Sequence, residues 1–119
     1  ISWVNAGHQP ALIRDNSGNF EEFESKSPPL GVVIQKTKSN YSINKINLNS
    51  NRLYAFTDGL SESLDENNQE IGIEGSKKVI NNNFSKNVND ELNNITKEIT
   101  DSSKIKKLSD DLTIVVIGK

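Results

Sequence analysis

Arg52-Leu-Tyr-Ala-Phe-Thr-Asp-Gly-Leu-Ser-Glu62 sets the terms on which the rest of the chain is read. Residues 52–57 form an apolar-rich run of strand length, and the Thr-Asp-Gly that follows is a turn signal. The turn leaves a carboxylate, Asp58, at the end of a strand, and Gly59 suits the tight geometry. A second placed acidic pair, Asp110-Asp111, immediately precedes another strand-like run, 112–117. If the two strands are antiparallel neighbours, the end of the first lies beside the start of the second. Their carboxylates then converge at one sheet edge. Hard cations such as Mg²⁺ and Mn²⁺ take several oxygen ligands and usually keep waters. Two such ions about 3.5–4 Å apart activate a water and neutralise a phosphoryl group together. On spacing alone, a plain β-turn plus an Asp pair capping a loop is the more economical reading, because Asp-Gly is a common turn.

Working outward, residues 1–4 alternate, with Ile1 and Trp3 on one face. Asn5-Ala-Gly-His-Gln-Pro10 is a turn, since Gly7 permits positive φ and Pro10 holds Gln9 extended. Residues 11–14 form a second short strand, Asp15-Asn-Ser-Gly18 reverses the chain, and 19–24 return. The expectation is a three-strand meander over residues 1–24. Pro28 and Pro29 then break the ladder. Residues 32–34 are a brief strand and 40–48 another, with a change of parity between Ile43 and Ile46 that suggests a bulge near Asn44 and Lys45. Asn49-Ser-Asn51 closes a hairpin into 52–57.

Beyond Glu62 the period changes. Residues 65–70 are a polar loop, and 73–82 are a weak helix containing Gly75. Val88, Leu92, Ile95 and Ile99 fall on one helical face, started by Asn87 or Asn89. Residues 102–109 connect to 112–117, a β-branched run typical of a strand buried on both faces. Strands, two helices and a final strand make an α+β domain with helices packed on an antiparallel sheet.

Composition narrows the chemistry. The 119 residues suffice for one domain and carry no cysteine, which excludes disulfides, thiolate nucleophiles and Cys-ligated zinc. The single histidine excludes a His-rich metal centre. A net charge of −2 and the absence of a basic stripe leave no nucleic-acid face. The longest apolar run is too short to span a bilayer and no signal peptide opens the chain, so a cytoplasmic protein is expected. His8, alone in a turn after glycine, reads as a structural hydrogen-bonding residue, with a general acid as the competing role. Glu62 is either an anchor for the Asp58 loop or a solvated acid.

Four stretches stand in a specific order: Trp3-Val-Asn-Ala-Gly-His-Gln-Pro10, Ser27-Pro-Pro-Leu-Gly-Val32, Leu53-Tyr-Ala-Phe-Thr-Asp-Gly-Leu-Ser-Glu62 and Asp110-Asp-Leu-Thr-Ile-Val-Val116. Together they resemble the C-terminal part of PPM-type (protein phosphatase 2C-like) serine/threonine phosphatases. The resemblance is to the bacterial branch of the stage II sporulation protein E phosphatase and the sigma-B regulatory phosphatases. It implies an antiparallel β-sandwich with flanking helices and a Mg²⁺/Mn²⁺ pair in the cleft between the sheets. Asp58 and Asp110 correspond to metal ligands; Gly59 supports the turn, Asp111 either supports the site or caps the strand, and Glu62 is the candidate anchor read above. Asn5, Gly7 and His8 belong to a pattern that shapes a loop.

The reaction implied is attack of metal-activated water on phosphoserine or phosphothreonine. The implied partner is a phosphorylated regulatory protein of the anti-anti-sigma (STAS-domain) kind. The family's upstream Gly-Asp motif, whose aspartate bridges both metals, has no counterpart in these residues. The expectation is therefore an N-terminally incomplete domain, inactive by itself and prone to self-association through exposed sheet edges. A non-catalytic scaffold that binds a signalling partner is the alternative.

Overall fold

The computed structural model describes residues 1–32, 41–101, 105–107 and 110–118. Its centre is a four-stranded antiparallel sheet in the order β3-β2-β5-β8, made of β2 (Ala11–Arg14), β3 (Phe20–Phe23), β5 (Arg52–Phe56) and β8 (Ile114–Ile117). The β2–β3 reversal is built as its sequence requires. Asp15 Oδ1 accepts the backbone N–H groups of Ser17 (2.8 Å) and Asn19 (2.9 Å), and Gly18 takes φ +90°. Tyr54 pairs with Leu12 on one side and Val116 on the other, which places all three side chains on one face. That face forms the core. Leu12, Tyr54 and Phe56 meet Leu60, and Val79, Ile80, Ile95 and Ile99 from the helices α2 (Gly72–Asn83) and α3 (Val88–Asp101).

A buried polar clamp joins the sheet to the helices. Arg52 ion-pairs with Glu91 of α3, both almost fully buried, and its other amino group donates to the Lys86 carbonyl at 2.7 Å. Tyr54 donates its hydroxyl to Glu91 at 2.5 Å. Phe84 lies beneath two guanidinium groups, Arg14 at 3.7 Å and Arg52 at 4.8 Å. The α3 start is capped by Asn87, whose Oδ1 accepts the N–H of Asn89 at 2.8 Å. Asn89 is thus inside the helix and Asn87 is the cap.

Several expectations need correction. Residues 1–24 are not a meander, because β1 (Ser2–Val4) leaves the main sheet and pairs with β4 (Ile43–Lys45). The Asn5–Pro10 turn redirects the chain: Gly7 takes φ +82° and Pro29 packs where its side chain would be. Trp3 instead reaches Phe23 edge-on, with centroids 5.2 Å apart. Phe23 shares its face with Ala11, opposite the core, so the two sheets stack as the arms of a sandwich.

Since β4 pairs with β1 and β5 with β2 and β8, the hairpin expected across Asn49-Ser-Asn51 is a crossover between sheets. Asn49 makes that turn at φ +48°. The β1–β4 ladder runs without a register shift, so the parity change marks the end of a three-residue strand, not a bulge.

The run at 112–117 is not buried on both faces. Strand β8 lies at the sheet's edge, and while Ile114 and Val116 pack inward, Val115 and Ile117 are 47% and 41% exposed. A two-residue strand, β6 (Leu64–Asp65), opens the expected loop at 65–70 and pairs with β7 (Ile105–Lys107) inside the expected connector. Past Val32, the strand expected at 32–34 falls outside the described residues.

Candidate metal centre

Strands β5 and β8 are antiparallel neighbours, with Phe56 opposite Ile114. The end of one and the approach to the other therefore meet. At the end of β5 the chain enters a single helical turn, α1 (Asp58–Ser61), so Asp58 sits at a strand-to-helix junction. Thr57 precedes it and makes no helix-capping bond, because its hydroxyl is taken by the other strand. That hydroxyl donates to the Asp111 carbonyl at 3.0 Å and accepts the Thr113 N–H at 3.0 Å. The Thr57 N–H donates in turn to the Thr113 carbonyl at 3.0 Å.

Gly59 completes the junction. A Cβ there would lie 2.6 Å from the Asp111 carbonyl oxygen and 3.0 Å from that of Asp110. Only glycine lets the two backbones touch. The Asp58 turn and the Asp110-Asp111 segment are thus in direct contact, as the antiparallel pairing of β5 with β8 requires.

Asp58, Asp110 and Asp111 are all exposed, and one Asp110 carboxylate oxygen accepts the Asp111 N–H at 2.7 Å. Asp111 contributes to the junction through its carbonyl. Glu62, also exposed, closes α1 by donating its backbone N–H to the Asp58 carbonyl at 2.8 Å. Ser63, fully buried, donates to the Gly59 carbonyl at 2.6 Å and pins the turn from below. Among the described residues, no three carboxylate or imidazole groups converge tightly enough to hold an ion by themselves.

The Asn5–Pro10 loop stands against this junction. Asn5 is buried and spans the loop: Oδ1 accepts the His8 N–H and Nδ2 donates to the Gln9 carbonyl, both at 2.9 Å. Ser61 donates its hydroxyl to Gln9 Oε1 at 2.7 Å, tying the loop to α1. Gln9 Nε2 is buried without a partner in this orientation. Rotating the amide by half a turn gives Nε2 the Ser61 oxygen as acceptor, and that hydroxyl retains the Asp58 carbonyl at 3.2 Å. An open cavity of about 320 Å³ lies between loop and junction, lined by Gly7, His8, Gln9, Thr57 and Asp58.

Sequence reasoning missed Thr57, Thr113, Ser61 and Gln9. A usable signal existed for the first two, since hydroxyl residues flank both aspartate positions at the ends of paired strands. Ser61 and Gln9 had none, because their contact depends on where the first loop folds.

An antiparallel sandwich with two helices on one sheet, and an acidic junction at the sheet edge, defines a protein phosphatase 2C-type fold. The SiaA-PP2C domain of Pseudomonas aeruginosa superposes with a TM-score of 0.69 at 14% identity, over 92% of this chain and 42% of that one. The structure of the PP2C phosphatase domain, with a fragment of the regulatory domain, of the cell fate determinant SpoIIE from Bacillus subtilis gives 0.69 at 17% identity, over 97% and 33%. In sequence, the phosphoserine phosphatase RsbP of Bacillus subtilis (strain 168) is 35% identical over 66 residues, which are 52% of this chain and 15% of that protein. The Stage II sporulation protein E (SpoIIE) family profile matches residues 1–119, and the chain belongs to that family. It spans less than half the length of each of these relatives.

Proposed function

We propose that the chain forms the C-terminal part of a metal-dependent serine/threonine phosphatase domain, with Asp58 and Asp110 as ligands for Mg²⁺ or Mn²⁺. One observation carries this reading: the Gly59 contact that sets the backbones bearing the two aspartates against each other. The donor set fits the ion, because exposed carboxylates at a strand edge are the hard oxygen ligands these cations select. When bound, the metal pair supplies an activated water and neutralises phosphoryl charge. The chain's own contribution is to fix the carboxylates. Thr57 and Asp111 lock the strand ends, while Glu62 and Ser63 close the turn that carries Asp58.

The substrate class is a phosphoserine or phosphothreonine on a regulatory protein, of the anti-anti-sigma (STAS-domain) kind, in the cytoplasm. The description of RsbP as a phosphoserine phosphatase supports the phosphoester part of this reading. Two carboxylates without a third bind a divalent ion weakly and repel each other. These residues alone therefore turn over little or no phosphopeptide, and a complete site needs a further ligand. The lack of three convergent ligands among the described residues also favours a second reading, a non-catalytic scaffold for a signalling partner.

A Mn²⁺ titration by calorimetry tests the assignment. Asp58→Asn and Asp110→Asn each weaken binding by about tenfold or more, the scale of losing one charged ligand. Isotherms identical to wild type would remove both residues from the metal site. Brisk Mn²⁺-dependent hydrolysis of a phosphopeptide by the 119 residues alone would refute the incomplete site.

A further inference from the structure

We propose that His8 is the residue that grips the substrate's phosphoryl group, through Nε2 of its imidazole. The proposal rests on the phosphatase reading above and adds to it a contact that neither metal ligand makes. His8 is exposed and lines the same cavity as Asp58. Its position is built rather than loose. Asn5, itself buried, accepts the His8 backbone N–H, and Gly7 takes the positive φ that the turn demands. Pro29 fills the space beside Gly7, so the loop has one way to run.

The ring is oriented as well. Nδ1 lies 3.1 Å from the Gln9 carbonyl oxygen, which only accepts, so the proton on that side is Nδ1–H. Nε2 makes no hydrogen bond among the described residues and is the ring's free end.

Among the side-chain donors on the cavity wall, this nitrogen is the uncommitted one. The Gly7 N–H is committed to Ser25 Oγ at 2.7 Å and the His8 N–H to Asn5. The Thr57 N–H and hydroxyl are both committed to the β8 approach. Gln9 Nε2 is buried away from solvent. Among the lining side chains, His8 alone carries positive charge in any protonation state. A phosphate monoester is a dianion whose oxygens bind best to charge-assisted donors. In its two-proton form the ring donates Nε2–H to a phosphoryl oxygen. Asp58 lines the same cavity, so His8 holds the ester beside the residue proposed to bind the metal.

The chain has a single histidine, which makes the test direct. Inorganic phosphate is titrated into the ¹⁵N-labelled protein while long-range ¹H–¹⁵N spectra of the ring are recorded. A saturable shift of the Nε2 resonance, weakened in Asn5→Ala, is expected. A ring that phosphate leaves unmoved would overturn the proposal.

Kinetics on the intact protein with Mn²⁺ and a phosphoserine peptide provide the second readout. His8→Ala is expected to raise KM and the inhibition constant of phosphate by about tenfold, the scale of one charge-assisted hydrogen bond, with a smaller fall in kcat. Unchanged KM and phosphate inhibition in a folded His8→Ala protein would reject the contact. The two readings fail differently. Absence of Mn²⁺-dependent turnover, with phosphate still shifting the ring, counts against the phosphatase and leaves the His8 contact supported.

Discussion

Gly59 shows how much of the candidate centre hangs on a single missing side chain. Its neighbour across the junction is backbone, and the Asp111 carbonyl that a Cβ would strike also accepts the Thr57 hydroxyl. Relief would require pulling the two strand approaches apart. Gly59→Ala is therefore expected to cost about 1–3 kcal/mol in urea unfolding, the usual scale of overpacking at a tight contact. It should also weaken Mn²⁺ binding, because the aspartates ride on the segments that separate. Wild-type unfolding and wild-type Mn²⁺ affinity in this variant would show that the junction yields easily and that the contact does not position the aspartates. The Thr-Asp-Gly turn and the late Asp pair were legible because turn chemistry and strand spacing are local. The reciprocal Thr57–Thr113 bonds were not, since they exist only once β5 and β8 are in register.

Strand β5 is held from both ends of its length, by the junction at Asp58 and by the clamp on α3. Burial, reinforced by the hydrogen bond to Glu91, holds the Tyr54 phenol well above the usual tyrosine range. A folded-state value above the unfolded one near 10 means that the folded protein holds this proton more tightly. The resulting stability is complete below about pH 10 and is lost as pH rises toward the folded-state value. Urea midpoints measured from pH 9 to 11 should fall more steeply for wild type than for Tyr54→Phe. The variant starts about 1.5–3 kcal/mol less stable at neutral pH, having lost one hydrogen bond to a buried carboxylate. Parallel alkaline limbs would mean that Tyr54 ionises without disturbing the clamp.

Helix α3 itself was readable from its sequence, because Ile95 and Ile99 fall on the buried face that their spacing defines. Strands β6 and β7 were not, since two or three residues such as Ile105-Lys-Lys107 carry no periodicity. The Glu91–Arg52 pair gave no sequence signal either. A glutamate in a polar helix looks solvated until the helix is docked.

At the scale of the whole molecule, the two faces of the main sheet differ sharply. One is sealed by α2 and α3, while the other, among the described residues, meets the two-stranded β1–β4 sheet. Ile1, Val4, Ile43, Val115 and Ile117 are each between 41% and 62% exposed. The radius of gyration, 15.5 Å, exceeds the roughly 13.5 Å expected of a compact domain this long. The sheet's margins differ too. Strand β3 is guarded by Glu21 and Glu22, the charged blocking that edge strands use, whereas β8 runs Ile114-Val-Val-Ile117 without a charge.

The sequence made the apolar character of β8 plain but not its position. A run of β-branched residues reads the same at a sheet's centre and at its edge, and only the pairing partners distinguish them. An uncharged edge with exposed valine and isoleucine is a template for another strand. The 119 residues by themselves are accordingly expected to self-associate, with an apparent mass that rises with concentration in light scattering. Val115→Lys with Ile117→Lys places two charges on that strand's exposed face while leaving Ile114 and Val116 in the core. This double variant should remain monomeric with an unchanged far-ultraviolet circular dichroism spectrum. A wild-type chain that stays monomeric at millimolar concentration would show that the uncharged edge does not recruit a partner strand. Association that persists in the folded double variant would move the contact from β8 to the exposed face of β1 and β4.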